Sequence, residues 1–305
     1  MGFFLETLLG GLMTGMLYAL VAIGFVLIFK ASGVFNFAQG AMVLFAALAM
    51  ARFSEWIPKW LGMAPGFVTI ALALMVSVII MIGVAWLIER LALRHLVNQE
   101  PITLLMATLG IAYLLDGLGP MIFGSAVYSI DVGMPKDPVF ILENVFDGGV
   151  LVSKEDLYSA CIAAVLVALL SLFFQKTKTG RALRAVADDH QAAQSIGIPL
   201  SRMWVIVWSV AGVVALVVGV IWGSKIGVQF SLSLVALKAL PVVILGGLTS
   251  LPGAIVGGLI IGIVESLSGF YLPEGFKDIA AYVVVLIMLM VKPNGLFGDK
   301  LTKKV

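Results

Sequence analysis

Three charged side chains stand in stretches that are otherwise apolar: Asp116, Lys238 and Glu265. A charge at membrane depth is costly and usually faces a bundle interior or a water-filled path. Each is therefore either part of a route or gate for solute, or a member of an ion pair that fixes helix register, which the opposite signs permit. Asn36 and Gln39 form a second polar element, inside Gly33-Val34-Phe35-Asn36-Phe37-Ala38-Gln39-Gly40. A helix broken there would free backbone groups that need polar company. Phe35 and Phe37 flank Asn36, so amides and aromatic surface lie together, which suits a solute with a polar end and an apolar body. Substrate contact and a structural hydrogen-bonding role are both open for Asn36 and Gln39. The third element is basic: Lys176-Thr177-Lys178-Thr179-Gly180-Arg181-Ala182-Leu183-Arg184, running on to Gly197-Ile198-Pro199. Residues 181–196 predict one short amphipathic surface helix, with Leu183, Val186, Ala187, His190 and Ala193 at helical spacing and Gly197 and Pro199 as stop signals. Its basic residues fall in the first turn, against the helix dipole. Lipid headgroups or a protein partner would explain that placement.

Other chemistries find no constellation. The sequence has no Gly-Lys dipeptide, so it has no Gly-x-x-x-x-Gly-Lys-[Ser/Thr] phosphate loop. His95 and His190 are the only histidines and Cys161 the only cysteine, which argues against a histidine-based metal site and excludes an internal disulfide. No Gly-x-Ser-x-Gly element occurs, and an intramembrane enzyme has nothing to support it.

What must position these residues is a set of long uncharged runs. Residues 7–29, 31–51, 66–88, 157–175 and 203–224 contain no Asp, Glu, Lys or Arg. A bilayer core about 30 Å thick needs roughly 20 apolar residues in a helix. Hydrophobic residues make up 61% of the chain, charged residues 12%, and the mean hydropathy is +1.13, about half the charge of a soluble domain. The 33 glycines fit a helical bundle whose backbones approach closely, and the runs lack the alternation of a transmembrane barrel. Residues 1–6 hold no Lys or Arg and the first run is long, so it reads as a retained helix rather than a cleaved signal.

The fold class expected is an all-α integral membrane protein of about eight or nine transmembrane segments, some of them broken. The segments are 7–29, 34–51, 66–88, 101–123, 157–175, 203–224, 228–246, 251–271 and 276–291. The second, fourth, seventh and ninth are the weakest, because they carry Asn36 and Gln39, Asp116, Lys238 and Pro241, or are short. The six tryptophans (Trp56, Trp60, Trp86, Trp204, Trp208 and Trp222) lie mostly near segment ends and read as interfacial anchors. Residues 1–305 read as a single transmembrane domain, with long polar loops at 124–156 and 176–202. Gly246-Gly247-Leu248-Thr249-Ser250-Leu251-Pro252-Gly253 echoes the early 33–40 element, as paired broken helices in a transporter with repeated halves would.

Lys and Arg set the orientation. With the 176–202 loop inside, the inner side receives Lys30, Arg90, Arg94, Lys176, Lys178, Arg181, Arg184, Arg202, Lys292, Lys300, Lys303 and Lys304. The outer side receives Arg52, Lys59, Lys136, Lys154, Lys225 and Lys277. The asymmetry puts the N-terminus outside and the C-terminus in the cytoplasm, with an odd number of crossings.

Four stretches resemble one family, and they occur in its order. Residues 179–189, Thr-Gly-Arg-Ala-Leu-Arg-Ala-Val-Ala-Asp-Asp, followed by Ala192-Ala193 and Ile196-Gly197-Ile198, look like the cytoplasmic loop of ABC importer permeases. The closest group is the branched-chain (hydrophobic) amino acid uptake permeases. Asn36-Phe37-Ala38-Gln39-Gly40 resembles that family's Asn-Phe-Ala-His-Gly. Residues 245–254, Leu-Gly-Gly-Leu-Thr-Ser-Leu-Pro-Gly-Ala, resemble its Leu-Gly-Gly-x-Gly-Ser-x-Pro-Gly-Ala. Residues 292–298, Lys-Pro-Asn-Gly-Leu-Phe-Gly, resemble its Arg-Pro-x-Gly-Leu-Phe-Gly tail. The likeness covers nearly the whole chain.

The resemblance implies a non-enzymatic permease subunit of an ATP-driven importer in the bacterial inner (cytoplasmic) membrane. Its implied partners are two ABC ATPase subunits, a second homologous permease and a periplasmic solute-binding protein. ATP would be used by the partners, no cofactor would be bound by this chain, and no nucleic acid is expected. Gly180, Arg181, Leu183, Arg184, Ala187, Asp188 and Gly197 would form the ATPase coupling element, with Arg184 facing the ATPase. Asn36, Phe37, Gln39, Gly40 and Glu265 would lie along the substrate pathway. A passive permease needs no titrating group, which favours the structural reading of the membrane charges. Two departures bear on substrate: Gln39 stands where members commonly have His, and Ala41 where they often have Glu. The family carries branched-chain amino acids, urea, short amides and aromatic or other carboxylates. The alternative architecture is a secondary transporter or channel with inverted repeats, using Asp116 and Glu265 as coupling sites.

Overall fold

The fold is described from a computed structural model, covering residues 2–96, 99–141, 149–273 and 275–298. Glu143 and Asp147 of the outer loop, and Lys300, Lys303 and Lys304 of the tail, lie outside the described residues. Among the described residues, seven helices are long and apolar enough to cross a membrane. They are α1 (Gly2–Ser32), α2 (Gln39–Leu61), α3 (Phe67–Leu91) and α4 (Pro101–Phe123), then α5 (Lys154–Lys176), α8 (Leu200–Ile226) and α11 (Leu251–Tyr271). Between α5 and α8 lie the short α6 (Lys178–Asp188) and α7 (His190–Ser195). The segment read as 228–246 is broken into α9 (Ser231–Val235), a 3-10 turn (Ala236–Ala239) and α10 (Leu240–Gly246). Pro241 sits in the first turn of α10, where its missing N–H costs nothing. The last helix, α12 (Phe276–Val291), has 16 residues. A two-stranded antiparallel hairpin, β1 (Pro138–Ile141) and β2 (Val150–Ser153), precedes α5.

The chain divides into two compact units. One comprises 1–26, 133–171 and 238–305; the other comprises 27–132 and 172–237. In the first, α1 crosses α11 backbone to backbone in antiparallel sense. A methyl group on Gly15 would come within 2.5 Å of the Gly258 carbonyl oxygen, and one on Gly11 within 2.9 Å of that of Gly262. Four glycines, spaced by four on each helix, make that crossing possible. The 245–254 stretch folds α10 back on α11 in the same way, with Gly246 against Gly253 and Gly257 against Val242. Ser250 caps α11, its hydroxyl accepting the Gly253 amide at 3.0 Å. The 292–298 tail then seals the junction. The Leu296 amide donates to the Leu245 carbonyl at 2.8 Å and the Phe297 amide to that of Gly246 at 3.1 Å. Helix ends leave carbonyls unpaired; here a distant piece of chain supplies their donors. Two of the family-like stretches thus meet in one joint.

In the second unit α8 is the central helix, packed against α2 and α3. Gly219 meets the Val43 carbonyl of α2, and Gly212 meets Met81 of α3. The anchor reading of the tryptophans fails for Trp204 and Trp208, which are 3% and 2% exposed. They lie on the α8 face covered by its neighbours. Trp60 and Trp86 are exposed.

The candidate solute-pathway linker and coupling loop

Both remaining family-like stretches lie in the second unit. The break between α1 and α2 is real: α1 ends at Ser32, Gly33 adopts φ +71°, and α2 begins at Gln39. Six residues, 33–38, form a linker that the sequence assigned partly to a helix from residue 34. Its polar side chains close the gap. The Asn36 Oδ1 accepts the Ala38 amide at 3.0 Å, the Asn36 Nδ2 donates to Gln39 Oε1 at 3.4 Å, and the Gln39 Nε2 donates to the Ala211 carbonyl of α8 at 3.4 Å. Both residues are fully buried, so their amides serve the linker itself. Thr108 of α4 holds the outer side: its hydroxyl accepts the Phe37 amide at 3.3 Å and also contacts the Phe35 carbonyl at 3.4 Å. Phe35 and Phe37 pack edge to face at 5.1 Å, and Phe37 remains 38% exposed. The surface this linker presents is therefore an aromatic ring backed by a closed amide network. Gly40 lets α2 approach α9, since a Cβ there would collide with the Ser233 carbonyl.

The coupling loop is two helices rather than the single 181–196 helix expected. Asp189 breaks it: its carboxylate accepts the Gln191 and Ala192 amides at 2.8 and 3.0 Å, capping α7. Thr177 caps α6 through the Gly180 amide at 3.0 Å. Gly197, at φ +88°, closes α7 with Gly197 N–H to the Gln194 carbonyl and Ile198 N–H to the Ala193 carbonyl, both 3.0 Å.

The basic first turn has a local explanation. The Arg184 guanidinium donates to the Phe174 carbonyl at 2.6 Å and to that of Gln175 at 3.3 and 3.4 Å. It caps α5, where a cation is favoured by the negative helix end. Gly180 makes this fit possible, its Cα side lying against the Phe173 and Phe174 carbonyls. Leu183 and Val186 are buried, Ala187 is half-buried, and Arg181, Asp188 and Gly197 are exposed. Ile196, which the sequence did not single out, is 75% exposed at the end of the loop.

The membrane charges separate. Lys238 Nζ lies 3.3 Å from Glu265 and 3.6 Å from Asp278, and the Tyr18 hydroxyl donates to Glu265. Glu265 is buried and Asp278 largely exposed. The cluster lines a cavity of about 130 Å³ with Lys277 and Tyr282 in the first unit. Asp116, on α4, has a buried Oδ1 without a partner among the described residues. The sequence offered no signal for Tyr18 or Asp278, whose roles arise from packing. It also passed over Glu89, buried at the end of α3 with Oε1 unpaired among the described residues.

Comparison with known proteins gives a consistent answer. Residues 7–292 match the family described as branched-chain amino acid transport system / permease component. The chain is 30% identical to the high-affinity branched-chain amino acid transport system permease protein LivH of Escherichia coli (strain K12), over 99% of this chain and 98% of that protein. Identity is 29% to LivH of Salmonella typhimurium, with the same coverage. It is 26% to the permease protein BraD of Pseudomonas aeruginosa, again over 99% and 98%. Full-length matching, joined with the linker, loop and tail just described, shows that this chain belongs to the branched-chain amino acid transport permease family, a family of transport subunits rather than enzymes.

Proposed function

We propose that this chain, acting as one transmembrane domain, is the permease subunit of an ATP-driven importer of branched-chain or other hydrophobic amino acids. Related small organic solutes remain within the same reading. The observation that carries the proposal is the coupling loop. It is capped at both helices, moored to the end of α5 by Arg184, and turns Asp188, Gln191 and Ile196 away from the bundle. Such a rigid projection serves a partner that moves it, which favours an importer with two ATPase subunits over a self-contained secondary transporter. A second permease and a solute-binding protein complete the assembly, in the inner membrane. ATP belongs to the ATPases.

The orientation proposed is N-terminus outside and C-terminus in the cytoplasm, with nine passages, the seventh broken and the ninth α12. Single cysteines at Asp147 and Lys303, in a Cys161→Ser background, test it with an impermeant thiol reagent in intact cells. Position 147 should label and 303 should not; labelling of 303 reverses the orientation.

Asn36, Phe37, Gln39 and Gly40 are proposed to shape the solute route, with Phe37 supplying contact and the amides its position; Glu265 is the candidate in the other unit. Gln39→His can keep both hydrogen bonds, one ring nitrogen donating to Ala211 and the other accepting from Asn36. It should therefore express normally and shift competition among leucine, isoleucine, valine and aromatic amino acids. Asn36→Ala leaves Gln39 Oε1 buried and unpaired, costing about 1–3 kcal/mol, and should lower thermal stability. An unchanged competition ranking in Gln39→His would remove the linker from the specificity route.

A further inference from the structure

We infer that His190 is a positioning residue for transport, tying the coupling loop to the linker that carries Asn36, Phe37 and Gln39. The inference rests on the importer reading above. Its basis is the Ala31 carbonyl in the last turn of α1. Final-turn carbonyls have no partner within their helix. The Gly33 amide serves that of Phe29 at 2.7 Å. The Ala31 carbonyl instead takes two side-chain donors from far along the chain: His190 Nε2 at 2.8 Å and Trp204 Nε1 at 3.2 Å. A carbonyl only accepts, so Nε2 carries the proton.

The two donors belong to different elements of one unit. Trp204 is buried in α8, the centre of the unit. His190 is the first residue of α7, within the coupling loop. Arg184 moors the other end of that loop to α5. Of these two moorings, the one at His190 leads toward the solute-pathway linker, because Asn36 follows Ala31 by five residues.

The linker also has room to respond. Gly33 has a left-handed backbone, and among the described residues nothing lies within 4 Å of its open side. Gly33 and Val34 line a cavity of about 270 Å³, together with Leu104, His190 and Trp204. A loop drawn away by its ATPase would pull on the Ala31 carbonyl while Trp204 holds it, and the linker could shift into this space without repacking the core. A purely structural hydrogen bond would make the two donors equivalent; this arrangement makes them different.

The experiment compares His190→Ala, His190→Gln and Trp204→Phe in the reconstituted importer, measuring ATP turnover, radiolabelled leucine uptake and melting temperature. His190→Ala should keep complex yield and ATP turnover while uptake per ATP falls roughly tenfold, as loss of one well-made hydrogen bond allows. His190→Gln, whose amide can reach the same carbonyl, should restore most of the ratio. Trp204→Phe should lower the melting temperature and leave the ratio unchanged. Equal ratios in His190→Ala and wild type overturn the inference, as do parallel losses in His190→Ala and Trp204→Phe. A second measurement needs no transport. In the full chain in nanodiscs, with Cys161→Ser, a Val34→Cys reporter, buried in the wild type, should react with a soluble maleimide several-fold faster when His190 is Ala. An unchanged rate overturns the mooring itself. Absence of ATP-driven uptake in the wild-type complex overturns the importer reading and leaves the labelling result to judge the mooring.

Discussion

Gly262→Val should abolish the folded subunit, whereas Gly83→Ala should leave it intact. A side chain at Gly262 meets the backbone of Gly11 and Gly15, and no rotamer change can relieve a clash that begins at Cβ. Overpacking in a well-filled core costs roughly 1–3 kcal/mol, occasionally more, and here the whole α1–α11 crossing would have to separate. Gly83 has nothing within 4 Å of its open side, and alanine there gains about 1 kcal/mol of helix propensity. Membrane-inserted yield and thermal melting in detergent separate the two. A Gly262→Val subunit that melts like wild type would show that the crossing has slack.

Ile196→Asp should cost the ATPase complex without costing the subunit. The ATPase docking proposed above would bury Ile196, which is 75% exposed, and losing an interface anchor typically costs about 2 kcal/mol or more, roughly thirtyfold in affinity. Arg184→Gln should behave in the opposite way. Its guanidinium serves the Phe174 and Gln175 carbonyls, so the first loss is thermal stability, and weaker coupling follows from a slackened loop. Co-purification of the ATPase and melting temperature, measured on both variants, distinguish an interface residue from a cap. If Ile196→Asp retains full complex yield, the docking face lies elsewhere on the loop.

Much of this was legible in the chain. The five uncharged runs marked five of the seven long helices, because a bilayer leaves length and polarity little freedom; α4 and α11 showed as apolar stretches around Asp116 and Glu265. Glycine and proline marked the interruptions at 33–40 and 246–253, which both proved to be starts of helices. The loop misled where local chemistry was read as partner chemistry. Arg184 seemed to oppose the dipole of its own helix, but it neutralises the end of the helix just before it, α5, onto which the turn at Thr177 folds α6 back. Asp189 reads as one more polar residue in a helical run until its carboxylate is seen capturing two amides. The buried pair Asn36 and Gln39 was recognisable as polar groups in a break. That they satisfy each other and Ala211 depends on α8, which is far away in sequence. Tyr18 and Asp278 around Lys238 and Glu265 lay beyond any pattern, since no spacing links four separate segments.

The joint between the 245–254 hairpin and the 292–298 tail also sets an order of manufacture. Residues 292–298 follow α10 and α11 in the order of synthesis. Until Leu296 and Phe297 emerge, the Leu245 and Gly246 carbonyls lack the donors that close them. A chain cut before residue 296 would thus keep all seven long helices yet leave this joint unlatched and open to quality-control proteases.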